Sequence, residues 1–362
     1  MRVMLLVTDL ERGGTPLRIA RLARRLHAAG VEVHAGCLAP PGPVSEDLEE
    51  VGIETFACRA DDARDFLALK RLSQTTRRIH PDLIHATLLH ANIAARLVGV
   101  IQRVPVIGST ATIEVERAWH RALERTTASI DRAHIVNSAA VANHVVQAFG
   151  IPQRLVHIVP PSLETPPRRV DRSAARAELG VSEPEFVVAW VGRFDPVKRL
   201  DVIIRCAEIM TDVPSRFLLM GDGPQRPRIE QELRLSSASR TVHLLGWQED
   251  VATVLSAADA FVFPSLTEGM PNAVLEAMAY GLPIVASDIP VLRELSGNGE
   301  RCVLVGGSEP RAYADALLRL RAQGEERHAL GEQAAAWAAR HLDPQATVDA
   351  VLRVYEQVLR KK

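Results

Sequence analysis

Short apolar runs alternate with segments of helical period along almost the whole chain. Residues 2 to 8 form an apolar strand, Gly13-Gly14 breaks the chain, and Leu17, Ala20, Ala23 and Leu26 then mark one face of a helix that ends at Gly30. Val31 to Leu38 is a second strand, followed by a proline-rich loop at Pro40, Pro41 and Pro43. Further short strands are predicted near Ile53 to Ala57, Leu83 to Ala86, Val104 to Ser109, Ala133 to Ser138 and Leu155 to Val159, with helices between them. Strand and helix in strict alternation predict a parallel, doubly wound sheet.

The pattern lapses at Pro160-Pro161, Pro166-Pro167 and the charged run Arg168 to Arg172, a composition suited to a linker. It resumes at Glu185 to Val191 and continues through Arg216 to Met220, Thr241 to Leu245, Ala258 to Phe263, Ile284 to Ala286 and Cys302 to Val305. Two Rossmann-like domains are predicted, residues 1–164 and 165–344. Open α/β sheets bind ligands beyond the carboxyl ends of their strands, so two such sheets facing across a cleft would hold a substrate there. The tail reads as two helical stretches, Pro310 to Arg340 and Thr347 to Lys362, interrupted at His341 to Pro344. Val348, Val351, Val354, Tyr355 and Val358 give the last one an apolar stripe.

One stretch combines this pattern with chemistry. Phe261 to Asp288 reads FVFPSLTEGMPNAVLEAMAYGLPIVASD: a strand, a loop, a helix from Ala273 to Tyr280 stopped by Gly281, and a second strand. The loop Glu268-Gly269-Met270-Pro271-Asn272 leads into the helix start, where the first backbone N–H groups lack internal partners and favour anions. Glu268 and Glu276 stand before and within the helix, and carboxylates accept hydroxyl hydrogens in pairs. Two acids flanking an anion-binding helix start suit a nucleotide sugar, with a phosphate in the middle and a polyol at each end. By spacing alone, Glu276 is equally an ordinary exposed helix glutamate.

Composition narrows the class. A chain of 362 residues, 47% hydrophobic and 24% charged, is a globular composition too long for one ordinary core. Residues 1–164 carry a formal charge of +2 and the remainder −3, so neither half has the basic character of a nucleic-acid binder. No apolar run reaches the roughly 20 residues of a membrane helix, and the start at Met1 reads as a strand rather than a signal peptide. Cys37, Cys58, Cys206 and Cys302 lie far apart, as reduced core residues of a cytoplasmic protein would.

The run Pro264-Ser265 to Ala286 resembles the E-x7-E signature of the GT-B glycosyltransferases of family 4, in the pattern P-S-x-x-E-G-x-P-N-x-x-x-E-A-M-A-x-G-x-P-I-V-A. Gly192-Arg193-Phe194-Asp195-Pro196-Val197-Lys198-Arg199 resembles the same family's G-R-x-x-x-x-K-G, with Arg199 where glycine is usual. The resemblance implies a GT-B fold, whose C-terminal helix (345–362) crosses back to complete the first domain; a helix that stays with the second domain is the alternative. It also implies transfer of a sugar from a nucleoside diphosphate to an acceptor hydroxyl, with retention at the anomeric carbon. The first domain would then serve the acceptor and the second the donor.

Arg193 and Lys198 offer a guanidinium fork and a mobile ammonium to a diphosphate. With the helix start at Met270 to Asn272 they would stabilise the leaving group's developing charge, each such donor contributing about 3 kcal/mol. Glu268 would hold sugar hydroxyls and Glu276 the ribose. The expected catalytic residues are Glu268, Arg193, Lys198 and His90. Donor binding is expected at Gly13, Gly14, Gly192, Arg193, Lys198, Glu268, Gly269, Met270, Pro271, Asn272, Leu275 and Glu276, although a plain tight turn explains Gly13-Gly14 as well. No Asp-x-Asp pair of the metal-binding kind occurs, and no metal or cofactor is expected beyond the donor substrate. His85 and His90, in a segment resembling one near the acceptor site of family 4, are the candidate acceptor residues, since neutral imidazole both donates and accepts.

Two positions depart from the family. No histidine follows the strand Val106 to Thr110, where Ala111 stands in its region, and Pro161-Ser162-Leu163-Glu164 replaces the usual N-G-hydrophobic-D. These leave open a non-transferase relative, such as a regulatory or scaffold subunit or a nucleotide-sugar epimerase. The expected acceptor is a carbohydrate or lipid-linked carbohydrate, in polysaccharide, lipopolysaccharide or glycolipid assembly. The arginines of Arg18 to Arg25 and of Arg64 to Arg78 would suit peripheral contact with the cytoplasmic face of the inner membrane, and solvated helix faces equally well.

Overall fold

The computed structural model describes residues 1–61, 65–113, 118–159, 162–163, 170–248 and 250–360. The linker prolines 160, 161, 166 and 167, Arg64, Glu164, Arg168, Arg169 and Glu249 therefore lie outside the described residues. The chain divides into two compact units, Met1–Ser162 with Pro344–Lys362, and Leu163–Asp343.

In the first unit the elements are β1 (Arg2–Val7), α1 (Gly14–Ala28), β2 (Glu32–Cys37), α2 (Pro43–Glu49), β3 (Glu54–Ala57), α3 (Phe66–Ile79) and β4 (Leu83–Thr87). Then come α4 (Leu89–Gln102), β5 (Val106–Thr110), α5 (Ala118–Thr127), β6 (Ala133–Val136), α6 (Ala139–Phe149) and β7 (Val156–Ile158). The strands form one parallel sheet in the order β3-β2-β1-β4-β5-β6-β7. Period-2 alternation sends Val3, Leu5 and Val7 into one core and Met4 and Leu6 into the other. The strand order reverses between β1 and β4, which puts the ligand-binding edge of such a sheet at their carboxyl ends. Pro43 does not prolong a loop but occupies the first turn of α2, where its missing N–H costs nothing.

The second unit contains α7 (Arg172–Glu178), β8 (Phe186–Val191), α8 (Leu200–Ile209), β9 (Ser215–Met220), α9 (Arg226–Leu235), β10 (Val242–Gly246), α10 (Ala252–Ala257) and β11 (Ala260–Phe263). It continues with α11 (Asn272–Ala279), β12 (Ile284–Ser287), α12 (Pro290–Ser296), β13 (Cys302–Val305), α13 (Pro310–Ala322) and α14 (Gly324–His341). Its parallel sheet runs β10-β9-β8-β11-β12-β13 and reverses between β8 and β11. The stretch expected as one helix from Pro310 to Arg340 is broken at Gln323-Gly324. Glycine is a poor interior helix residue, and the apolar pattern alone did not mark the break.

The last helix, α15 (Pro344–Arg360), belongs to the first unit, where Val348, Val351, Val354, Tyr355 and Val358 enter the core formed by β1, β2 and α1. All four cysteines are buried and unpaired, their thiols pushed up to about 12 by burial. Among the described residues no helix is long and apolar enough to cross a membrane.

Candidate functional site

In the second unit, the loop after β8 is fixed by backbone contact with the loop after β9. Gly192 N–H donates to Met220 O at 3.0 Å, Phe194 N–H to Asp222 O at 2.8 Å, and Gln225 N–H to Phe194 O at 3.0 Å. The approach is so close that a Cβ on Gly221, whose φ is +143°, would lie 1.8 Å from Gly192 O. Glycine there is a steric requirement. Phe194 is fully buried with its ring edge-to-face on Trp190, 5.7 Å between centroids. Arg193 is thereby held outward: its side chain is exposed and makes no hydrogen bond or ion pair among the described residues.

Asp195 then caps a single helical turn, Pro196–Lys198, and Arg199 follows with φ +53°. That left-handed backbone explains why glycine is usual at this position; a non-glycine residue pays roughly 1–2 kcal/mol. Arg199 offsets the strain with a bidentate pair to Asp201, 2.9 Å from Nε to Oδ1 and 2.9 Å from Nη2 to Oδ2.

The turn presents Lys198 to the end of β11. Its ammonium donates to Glu268 Oε1 at 2.5 Å and lies 5.4 Å from the centre of the Phe263 ring. Ser265 Oγ donates to the same Glu268 oxygen at 2.7 Å, Leu266 N–H donates to Val197 O at 2.8 Å, and Ser287 Oγ donates to Ser265 O at 2.5 Å. These contacts join three strand ends, β8, β11 and β12, around one ion pair whose side chains are 20% and 11% exposed. An ammonium has three N–H donors and a carboxylate about four acceptor positions, so the pair retains capacity for a ligand on both sides. Ser265, Ser287 and the Gly221-Asp222-Gly223 loop were not marked out as site residues; the recurrent glycines after β9 were the one available signal.

Gly269, Met270 and Pro271 are buried and Asn272 is half-buried at the start of α11, which has no side-chain cap. Glu276 lies half-buried in the second turn of α11. Leu275 is a correction: its side chain is completely buried, and it anchors α11 to the sheet instead of meeting a donor.

Gly13, Gly14, His85 and His90 belong to the first unit. Gly13 precedes α1 and Gly14 begins it, and a Cβ on Gly14 would meet nothing within 4 Å, so that side of the turn is open. His90 lies half-buried in the first turn of α4, its ring edge-to-face with His120 at 5.6 Å. Burial, and then the neighbouring His120, lower its pKa. The helix is entered through Leu88 at φ +77°, ψ 157°, a strained region for a leucine. Asn92 ties that entrance to β5, donating to Ser109 O at 3.0 Å and accepting from Ser109 N–H at 3.2 Å.

His85 is the second correction. It is 3% exposed, Nδ1 lies 2.7 Å from Tyr355 Oη, and burial lowers its pKa to about 4. It is a neutral core residue joining β4 to α15, and an acceptor cannot reach it. Sequence alone gave no sign that Tyr355 was its partner, 270 residues away.

A buried charge network also escaped the sequence reading. Arg96 grips Asp131 with two bonds, 2.8 Å from Nε to Oδ1 and 2.7 Å from Nη2 to Oδ2, and Glu124 with one of 2.5 Å. Asp131 accepts from His134 Nδ1 at 2.9 Å, while His134 Nε2 lies 3.0 Å from Thr110 Oγ1. Burial pushes the Asp131 carboxyl up, but the bonds from Arg96 and His134 outweigh it and hold the pKa below its usual value. Gly108 makes room: a Cβ there would come 2.4 Å from Asp131 Oδ2.

Two parallel sheets, each closed by a switch point, with a Lys–Glu pair at the carboxyl edge of the second, define the GT-B architecture. Residues 185–323 match the family model described as glycosyl transferases group 1, and residues 12–165 that of glycosyltransferase family 4. The chain belongs to this family of glycosyltransferases. It is 29% identical to the D-inositol 3-phosphate glycosyltransferase of Nocardia farcinica, over 91% of this chain and 81% of that protein. To the same-named protein of Thermomonospora curvata it is 28% identical, over 95% and 90%. The fold is similar to that of Anabaena Alr3699/HepE, solved in complex with UDP and glucose: TM-score 0.87, 20% identity, 98% of this chain and 99% of that one. A glycosyltransferase from Rickettsia africae also has TM-score 0.87, at 12% identity over 100% and 99%.

Proposed function

We propose that the protein transfers a sugar, with retention of anomeric configuration, from a nucleoside-diphosphate sugar to a hydroxyl of a small polyol. The observation that carries this reading is the Lys198–Glu268 pair, cross-braced by Ser265 at the carboxyl edge of β8 and β11. The second unit binds the donor. Lys198 and Arg193 take the diphosphate, Glu268 the sugar hydroxyls, Glu276 the ribose, and the start of α11 the phosphate nearest it.

As the glycosidic bond breaks, negative charge grows on the leaving diphosphate. Arg193 and Lys198 meet it with N–H donors already oriented by the packing of Phe194 and by Glu268, which is how fixed dipoles lower a barrier without reorganising. These cations do the work that a divalent ion does elsewhere, and no metal or cofactor is assigned. The first unit serves the acceptor, with His90 oriented to its hydroxyl.

The names of the relatives favour a cyclitol phosphate as acceptor. Phe66 and Leu67, 83% and 60% exposed at the start of α3, favour in addition a peripheral membrane contact. Incubation with UDP- and GDP-sugars and D-inositol 3-phosphate, read by mass spectrometry and by the anomeric coupling of the product, tests the proposal. A glycoside with inverted configuration, or none with any donor, contradicts it.

A further inference from the structure

Resting on the sugar-transfer reading, we propose that Ser287 and Tyr313 are positioning residues of the reaction, acting through Ser265 to aim Glu268 at the donor sugar. Ser287 ends β12 and Tyr313 lies on α13. Ser265, Ser287 and Tyr313 are 0%, 6% and 0% exposed, so none of the three meets a ligand. A buried polar chain of this kind fixes geometry, because each bond in it restrains and polarises the next.

The sequence creates the need for the chain. β11 and β12 pair in register as far as Phe263 and Ala286. Pro264 follows and has no N–H to donate, so the ladder stops there. Beyond it the Ser265 carbonyl accepts instead from Ser287 Oγ at 2.5 Å. A hydroxyl has one hydrogen. That of Ser287 goes to Ser265 O, so the Tyr313 hydroxyl, in hydrogen-bonding contact with Ser287, is the donor between those two. Burial pushes the Tyr313 phenol up to about 12, which keeps it protonated. Its other acceptor, Gly307 O, lies at 3.5 Å, the outer limit of a bond.

The Ser265 side chain carries the effect forward. Its hydroxyl has Glu268 Oε1 at 2.7 Å, Val197 O at 3.1 Å and Thr267 O at 3.4 Å within reach. The single hydrogen goes to the carboxylate, the nearest acceptor and the charged one. Lys198 donates to the same oxygen. Glu268 Oε1 is thus held from two sides, and Oε2, which accepts from nothing among the described residues, is the oxygen left for a sugar hydroxyl. Removing the Ser287 hydroxyl frees the Ser265 carbonyl and with it Glu268, whereas Arg193 and Lys198 stay on the turn after β8. A misplacement of about 1 Å in such a group costs about a hundredfold in rate.

The test compares the full chain with Ser287→Ala, Ser287→Thr, Tyr313→Phe, Glu268→Ala and the double variant of Ser287→Ala with Glu268→Ala. Each receives D-inositol 3-phosphate and whichever of UDP-glucose, UDP-N-acetylglucosamine and GDP-mannose the wild type consumes. The proposal predicts kcat lowered about tenfold to a hundredfold in Ser287→Ala, a smaller loss in Tyr313→Phe, and recovery toward wild type in Ser287→Thr. Affinity for that donor's sugar-free nucleoside diphosphate should not change. In the Glu268→Ala background, loss of the Ser287 hydroxyl should lower kcat no further, because both changes act through one carboxylate. Equal fold-losses in the two backgrounds, or a folded Ser287→Ala with wild-type kcat, would overturn the proposal and leave these hydroxyls to stability alone. If Ser287→Ala does not fold, Tyr313→Phe decides, and wild-type kcat in it would overturn the proposal. A wild-type protein that consumes none of the three donors would instead overturn the sugar-transfer reading, and this role with it.

Discussion

Lys198 and Glu268, seventy residues apart in sequence, are in direct contact: the ammonium nitrogen lies 2.5 Å from Glu268 Oε1, and Ser265 donates to the same oxygen. Read one at a time, the two suggested separate duties, one at the phosphates and one at the sugar. In the structure they are a single unit, in which each holds the other's rotamer. A diphosphate and a sugar hydroxyl would therefore meet groups that are oriented in advance.

Coupling between the two should be measurable. A double-mutant cycle with Lys198→Ala and Glu268→Ala, read by chemical denaturation, is expected to give an interaction energy of about 0.5–3 kcal/mol. Each single change should lower kcat by about a hundredfold or more. Additive losses in stability would show that the contact carries no energy.

Glu276 has a different expected signature. If Glu276 holds the donor's ribose, outside the reacting bond, Glu276→Gln should raise the donor KM by about tenfold to a hundredfold, the worth of hydrogen bonds to a charged group. The melting temperature should hardly change, because the side chain is half-exposed. An unchanged donor KM would make Glu276 an ordinary helix residue.

The core histidine predicts a pH dependence. Burial lowers the folded-state pKa of His85 to about 4, against 6.5 as the ordinary value. Its contribution is complete above the unfolded value and is lost as pH falls from about 6.5 toward about 4, when the unfolded chain takes up a proton that the folded one excludes. The loss amounts to roughly 3 kcal/mol. His85→Leu should flatten the stability profile in that window relative to wild type. Parallel profiles for the two proteins would remove His85 from the balance.

The Arg96 network should be far less tolerant. Arg96 and Asp131 are fully buried and Glu124 nearly so. Arg96→Leu strands two acids and should cost about 3–5 kcal/mol. The loss should appear as a lowered unfolding midpoint and poor soluble yield. A variant of near wild-type stability would mean that water reaches the acids.

Period and motif made much of this molecule legible before its structure. Strand and helix alternation gave both parallel sheets, because buried parallel strands are continuous apolar runs. The stripe Val348 to Val358 marked the face of α15 that is buried, and the two motifs around Lys198 and Glu268 marked the family. What stayed hidden was long-range pairing. Nothing local in the sequence connects His85 to Tyr355, or Arg96 to Asp131 and Glu124, since such contacts depend on which helices pack together. Leu275 was misassigned for a related reason: a residue inside a binding motif can serve the core beneath it.

The most direct measurement is calorimetric titration of the full chain with UDP-glucose, UDP-N-acetylglucosamine and GDP-mannose, and with UDP, GDP, UMP and GMP. A donor-binding unit built on Arg193, Lys198 and Glu268 predicts that one nucleotide sugar binds, that its nucleoside diphosphate binds at least tenfold more tightly than the monophosphate, and that Lys198→Ala abolishes this difference. Equal affinity for mono- and diphosphate, or no binding by any of them, would contradict it.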